Sequence, residues 1–236
     1  MSDGLAYFKQ VYDQVPGWVQ KMHDYSPEVL DYYTDIRGKI MQDGPVLSRK
    51  EKDALIGSIN AARLYPRSMV YHTKGAIEHG LSLPELVEYF LTAYWYKGIK
   101  ALSVGIEAIA YALELKGVKV DFPDQKPQRI ESIFQVILDW LQDEDTSFIE
   151  SVSEAVKSND KRQIQEMILD YGHVSDKLKY LNMVGNYIVD LRGEAALPWI
   201  EKARKIGVKE EELANLGYIC ILTAGIPTWF EISEAL

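Results

Sequence analysis

Ser48-Arg49-Lys50-Glu51-Lys52-Asp53-Ala54-Leu55-Ile56 opens one helix, and 127 residues later Ser175-Asp176-Lys177-Leu178-Lys179 opens another in the same register. In the first stretch Ser48 and Glu51 stand three apart, the spacing of a capping box. The serine hydroxyl accepts from a free N–H of the first turn while the glutamate reaches back. Leu55, Ile56, Ile59 and Ala62 then recur at three-to-four spacing, which predicts an amphipathic helix that stops before Pro66. A third helix is expected from about Pro66 to Gly80, with Gly80 just past its end. Ser82-Leu83-Pro84-Glu85 is a second capping box, opening an aromatic-rich helix to about Gly98. The apolar run from Ile99 to Leu115 closes at Gly117.

The same punctuation recurs without a gap. Sliding the chain by 127 pairs Ser48 with Ser175, Lys50 with Lys177, Lys52 with Lys179, Leu64 with Leu191 and Ala76 with Ala203. It also pairs Gly80 with Gly207, Glu85 with Glu212, Leu86 with Leu213, Gly98 with Gly225 and Ile99 with Ile226. Glycines at helix ends serve turns that need positive φ, so their repetition at one offset marks a repeated unit. The expected fold is all-α: two diverged copies of one helical unit packed as one compact chain. The first copy spans residues 1–120 and the second 121–236. Upstream, Ser26-Pro27-Glu28 predicts a capped helix running to about Gly44-Pro45. Further helices are expected over Ile130–Leu141, Phe148–Val156, Ile164–Leu169 and Leu178–Val189. The segment from Val118 to Gln128, framed by Pro123 and Pro127, reads as a linker. Val118-Lys119-Val120 alternates like a short strand but has no partner strand, and is taken as loop.

Composition bounds the function. The chain has 236 residues, of which 47% are hydrophobic and 26% charged, enough for a sizeable core. A net charge of −9 argues against nucleic acid or an anionic membrane, both of which need clustered Lys and Arg. With Cys220 alone there is no intrachain disulfide, and the residue sits in an apolar run as a small buried hydrophobe. Met1-Ser2-Asp3-Gly4 carries no signal-peptide pattern and no stretch is long and apolar enough for a membrane helix, so a cytoplasmic protein is expected.

The region Pro45 to Tyr111 resembles the carboxymuconolactone decarboxylase and alkylhydroperoxidase D-like family. The resemblance rests on Leu47 to Ile56 and on His72-Thr73-Lys74-Gly75-Ala76-Ile77-Glu78-His79-Gly80-Leu81-Ser82-Leu83-Pro84-Glu85-Leu86. In the peroxidase branch of that family two cysteines stand three apart. A histidine lies four residues beyond the second, and a glutamate twelve residues before the first. Placed by His72, the cysteine positions hold Tyr65 and Ser68, and the glutamate position holds Asp53. Dithiol peroxide reduction needs an attacking thiolate and a resolving thiol, which tyrosine and serine do not supply.

What the resemblance leaves is a cofactor-free acid/base set of the lyase or decarboxylase type, working on a small organic acid or lactone. His72 would move the proton and Asp53 would orient it, with Ser68 and Tyr65 binding substrate. Ser68 lies four residues before His72 and so shares its helix face. Arg63 and Arg67 are the only arginines read as near enough to hold a substrate carboxylate. In the second copy Trp199, Tyr180, Ala195 and Arg192 take the places of His72, Asp53, Ser68 and Tyr65, and no acid/base set survives. No metal site is expected. His72 and His79 are seven apart, but a site needs three or four ligands, and His79 reads as a residue at a helix C-terminus. The resemblance also implies a homo-oligomer, a trimer or hexamer, with Tyr89, Phe90, Tyr94, Trp95 and Tyr96 serving core and subunit interface. The alternative reading is a catalytically inactive helical oligomer for binding or assembly, with His72 a satisfied core residue.

Overall fold

The protein is described by a computed structural model covering residues 3–120, 127 and 129–236. Among these residues every regular element is helical, as expected for an all-α chain. Most of the linker (residues 121–126 and 128) lies outside the described residues, and Val118 to Val120 have no regular structure. The described chain packs as two compact units, Met1–Gly44 and Pro45–Leu236. The division at residues 120 and 121 would separate sequence repeats, whereas the packing divides at Gly44.

The first unit holds α1 (Gly4–Tyr12), α2 (Gly17–Tyr25) and α3 (Pro27–Met41). Ser26 caps α3 as its sequence implies, its hydroxyl accepting from Val29 N–H, with Pro27 at the first helical position. Phe8, Val19 and Leu30 are fully buried here. The buried Arg37 guanidinium bonds two tyrosine hydroxyl oxygens. It donates to Tyr7 at 2.5 Å and Tyr12 at 2.7 Å, and lies over both rings.

The second unit begins with α4 (Arg49–Ala62). Its capping box forms in full: Ser48 Oγ accepts from Glu51 N–H, and Glu51 accepts from Ser48 N–H at 2.7 Å. The expected helix from Pro66 to Gly80 is instead a 3-10 turn at Pro66–Ser68 followed by α5 (Met69–Glu78). Short 3-10 pieces commonly precede an α-helix. A second complete capping box opens α6 (Leu83–Lys97), and α7 (Ile99–Leu115) follows Gly98. Then come α8 (Ile130–Trp140), α9 (Ser147–Ser158), α10 (Lys161–Asp170), α11 (Asp176–Val189), α12 (Gly193–Lys205), α13 (Glu210–Ala224) and α14 (Pro227–Ser233).

Helix bounds coincide at the offset of 127. Adding it to 49–62 gives 176–189, the bounds of α11, and adding it to 83–97 gives 210–224, the bounds of α13. The 3-10 turn together with α5 spans 66–78, which maps onto 193–205, the bounds of α12. The C-terminal ends of α4 and α11 match bond by bond. Leu64 N–H and Tyr65 N–H donate to Ala61 and Asn60, just as Leu191 N–H and Arg192 N–H donate to Ile188 and Tyr187. Both leucines are left-handed (φ 59° and 55°), as are Gly80 and Gly207 (φ 90° and 89°). The Lys50–Glu85 ion pair has a counterpart in Lys177–Glu212.

The two sets of helices interleave rather than stand side by side. Helix α11 packs on α4 and α6, and α13 packs on α4. Ile59 presses against Gly185, where a Cβ would come within 2.6 Å of the Ile59 side chain, so glycine lets α4 and α11 approach. The ties are reciprocal. Arg63 at the end of α4 donates to the Thr223 carbonyl, and Asp190 at the end of α11 accepts from Tyr96 at 2.8 Å. The numbers 63 and 96 become 190 and 223 at the same offset. Deeper in, Glu88 and Lys179, both 1% exposed, pair at 3.5 Å. Glu88 also accepts from His173 and Val174 N–H, and Lys179 donates to the Tyr171 carbonyl. Burial pushes the Glu88 carboxyl up and the Lys179 ammonium down, and their mutual charge opposes both shifts.

A leucine in left-handed backbone carries a steric cost that glycine does not. Leu191 is 52% exposed, so its replacement forfeits little burial. Leu191→Gly is therefore expected to raise stability by roughly 0.5–1 kcal/mol. Gly207→Ala, at φ 89°, is expected to lower it by about 1 kcal/mol. Urea unfolding of the three proteins checks both signs.

Candidate functional site

Asp53 lies in the second turn of α4 and His72 in the first turn of α5, and the tight packing of these two helices brings them together. His72 Nδ1 and Asp53 Oδ1 are 2.7 Å apart, with Asp53 1% and His72 8% exposed. Contact this close depends on Gly75. A Cβ there would lie 2.4 Å from Asp53 Oδ2, so any other residue on α5 would push the carboxylate aside.

The second oxygen of Asp53 is also held. Arg49 Nε donates to Oδ2 at 2.6 Å from one helical turn earlier. Burial acts most strongly on the Asp53 carboxyl and pushes it up. The His72 hydrogen bond and charge and the Arg49 charge and hydrogen bond outweigh it, leaving the carboxyl below its ordinary range. An ionised carboxylate can only accept, so His72 Nδ1 carries the proton of that bond. Nε2 is then the nitrogen through which His72 would take up or release a proton.

The other two expected residues are placed differently. Ser68 is the last residue of the 3-10 turn and the N-cap of α5, and its Oγ accepts from Asn60 Nδ2 at 2.7 Å. Tyr65 is 46% exposed, with the Arg63 guanidinium over its ring at 5.9 Å. His79 is exposed and donates from Nδ1 to the Gly75 carbonyl at 2.7 Å, a helix-end contact. Among the described residues no three His, Cys, Asp or Glu side chains are grouped as a metal site would need. Cys220 is fully buried, and burial pushes its thiol up, away from the thiolate form.

Three residues of this neighbourhood escape the sequence reading. Arg49 is bonded to Asp53, whereas Arg63 donates to the Thr223 carbonyl. The Arg49 signal is the i,i+4 spacing to Asp53, available in the sequence. Asn60 and Gly75 carry no such signal, because their roles arise only when α5 folds back on α4.

The corresponding place in the second half is filled by rings. Tyr180 and Trp199 lie 6.1 Å apart between centroids, and Tyr187 stacks on Trp199 at 6.3 Å. Lys202, at the position of Gly75, sits 4.5 Å over the Trp199 ring, and Arg192 lies 5.2 Å over Tyr187. Where the first half keeps a glycine so that a carboxylate can reach an imidazole, the second packs aromatic faces against cations.

No family model matches the chain, and no curated protein matches it. Among solved structures the chain is similar to one from Burkholderia xenovorans, provisionally described as a gamma-carboxymuconolactone decarboxylase subunit. The two are 19% identical, the match covers 98% of this chain and 95% of that one, and the TM-score is 0.55. At that identity the likeness is one of fold. It establishes the expected helical fold over nearly the whole length. No helix among the described residues is long and apolar enough to cross a membrane.

Gly75→Ala should cost about 1–3 kcal/mol as an overpacked helix contact, and should weaken the His72–Asp53 bond, visible as an altered His72 NMR titration. Asp53 is more acidic folded than unfolded, so its stabilisation is present above the ordinary carboxylate range and is lost as pH falls through the folded value. Asp53→Asn should flatten the acid limb of a stability-against-pH curve while leaving its neutral-to-alkaline limb parallel to the wild type.

Proposed function

We propose that this chain is a carboxymuconolactone decarboxylase-like enzyme without redox thiols, moving protons at His72 on a small organic acid or lactone. The observation that carries the reading is the buried 2.7 Å contact between His72 Nδ1 and Asp53. A carboxylate fixed on its far side by Arg49 holds the imidazole in one tautomer and supports its positive charge when it takes a proton. The shared fold with the Burkholderia structure supports the same class. Tyr65 and Ser68 at the sulfur positions, and a buried Cys220, argue for proton transfer over peroxide reduction.

We read α4–α7 and α11–α14 as two copies of one unit, in residues 1–120 and 121–236. Their reciprocal packing lets one chain stand where two single-unit chains would pair, and a trimer of this chain would then imitate a hexamer of such units. The second copy acts as scaffold, its equivalent place closed by Trp199. Ser68 and Tyr65 bind the substrate in this reading, with Ser68 the better supported of the two because its partner Asn60 is buried.

The test combines turnover with titration. A panel of small organic acids and lactones is incubated with the protein and followed by proton NMR, while the His72 imidazole signals are monitored. The reading expects conversion of at least one compound, lowered about 10²-fold or more by His72→Ala. A thiol-dependent peroxide assay should stay at background. An imidazole that ignores every compound, with no conversion, would favour a catalytically silent oligomer instead.

A further inference from the structure

We propose that Asn60 is a positioning residue that makes the Ser68 hydroxyl an obligatory hydrogen-bond donor toward an acceptor oxygen of the substrate, such as a lactone carbonyl or a carboxylate. The inference rests on the functional reading above and names the chemistry that one wall of its site would recognise.

Two rungs join α4 to the segment that folds back on it. Asp53 meets His72, and seven residues on, two turns along the same face of α4, Asn60 meets Ser68. Ser68 and His72 are four residues apart on the returning segment. Asn60 is 1% exposed, and its Nδ2 faces Ser68 Oγ. An amide nitrogen only donates. Ser68 Oγ therefore accepts at 2.7 Å, and its single proton must point elsewhere. The hydroxyl does not cap α5, although Ser68 is the N-cap residue. No acceptor for its proton lies within bonding distance among the described residues, and Ser68 is only half-buried.

The arrangement has an internal cost. Asn60 Oδ1 is buried without a hydrogen-bond partner, which disfavours the folded protein. The second half provides a control. There Tyr187 and Ala195 replace Asn60 and Ser68, just as Tyr180 and Trp199 replace Asp53 and His72. The Asn–Ser rung is absent where the acid/base pair is absent.

The test uses γ-butyrolactone, a ligand whose oxygens can only accept, titrated into the full-length protein and followed by NMR. Ser68→Ala removes the donor. Asn60→Asp presents acceptor oxygens only, so Ser68 must turn its proton toward residue 60. Both variants should weaken binding about tenfold, and the double variant should be no weaker than Ser68→Ala alone. Asn60→Ala, which frees the hydroxyl to rotate, should fall between these and wild type, and it serves if Asn60→Asp melts early. Wild-type affinity in both Asn60 variants would overturn the positioning role. Wild-type affinity in Ser68→Ala, or no lactone binding by the wild type, would overturn the donor. Lactone binding that needs both residues, without turnover of any compound, would support this inference while sinking the proposed chemistry. Turnover indifferent to both residues would do the reverse.

Discussion

A carboxylate held at 1% exposure between an imidazole and a guanidinium sets the terms for the rest of this structure. Removing Asp53 from water is unfavourable, and its two oxygens repay that only because each is bonded, one to His72 and one to Arg49. Those bonds require α5 to lie tightly on α4, which in turn requires Gly75 at the point of contact. Arg49 and Asp53 are one turn apart because Ser48 and Glu51 start α4 where they do. The cap, the helix register, the glycine and the bonded imidazole thus form one chain of dependence, running from local sequence to the atoms that would do chemistry.

The contrast between the halves shows how the same helical frame accepts a different solution. At the offset of 127 the frame keeps helix bounds, left-handed leucines, end glycines and the Lys–Glu tie. What changes is the filling. Gly75 becomes Lys202, and the small polar set becomes Tyr180, Tyr187 and Trp199 with cations on their faces. Rings at these positions need no buried charge.

Much of the fold was legible because its punctuation is local. Ser48–Glu51 and Ser82–Glu85 are capping boxes in sequence and in structure, and Gly80, Gly98 and Gly117 end helices with positive φ. The His72–Asp53 pairing came from resemblance, since nineteen residues separate the two and only helix packing joins them. What escaped was nonlocal. The Arg37 cluster with Tyr7 and Tyr12 is one case, the Glu88–Lys179 pair another, and the packing boundary at Gly44 a third. Arg49 is different, because its i,i+4 spacing to Asp53 is local and present in the sequence.

An Asp53 carboxylate that holds His72 in one tautomer through Nδ1–H leaves a direct spectroscopic signature. Proton NMR of ¹⁵N-labelled protein tests it at the atom concerned. The account predicts a downfield, exchange-protected imidazole N–H resonance that correlates with His72 Nδ1 and is lost in the variant carrying alanine at position 53. A proton found on Nε2 with Nδ1 unprotonated, or a resonance unchanged by removing the carboxylate, would contradict it.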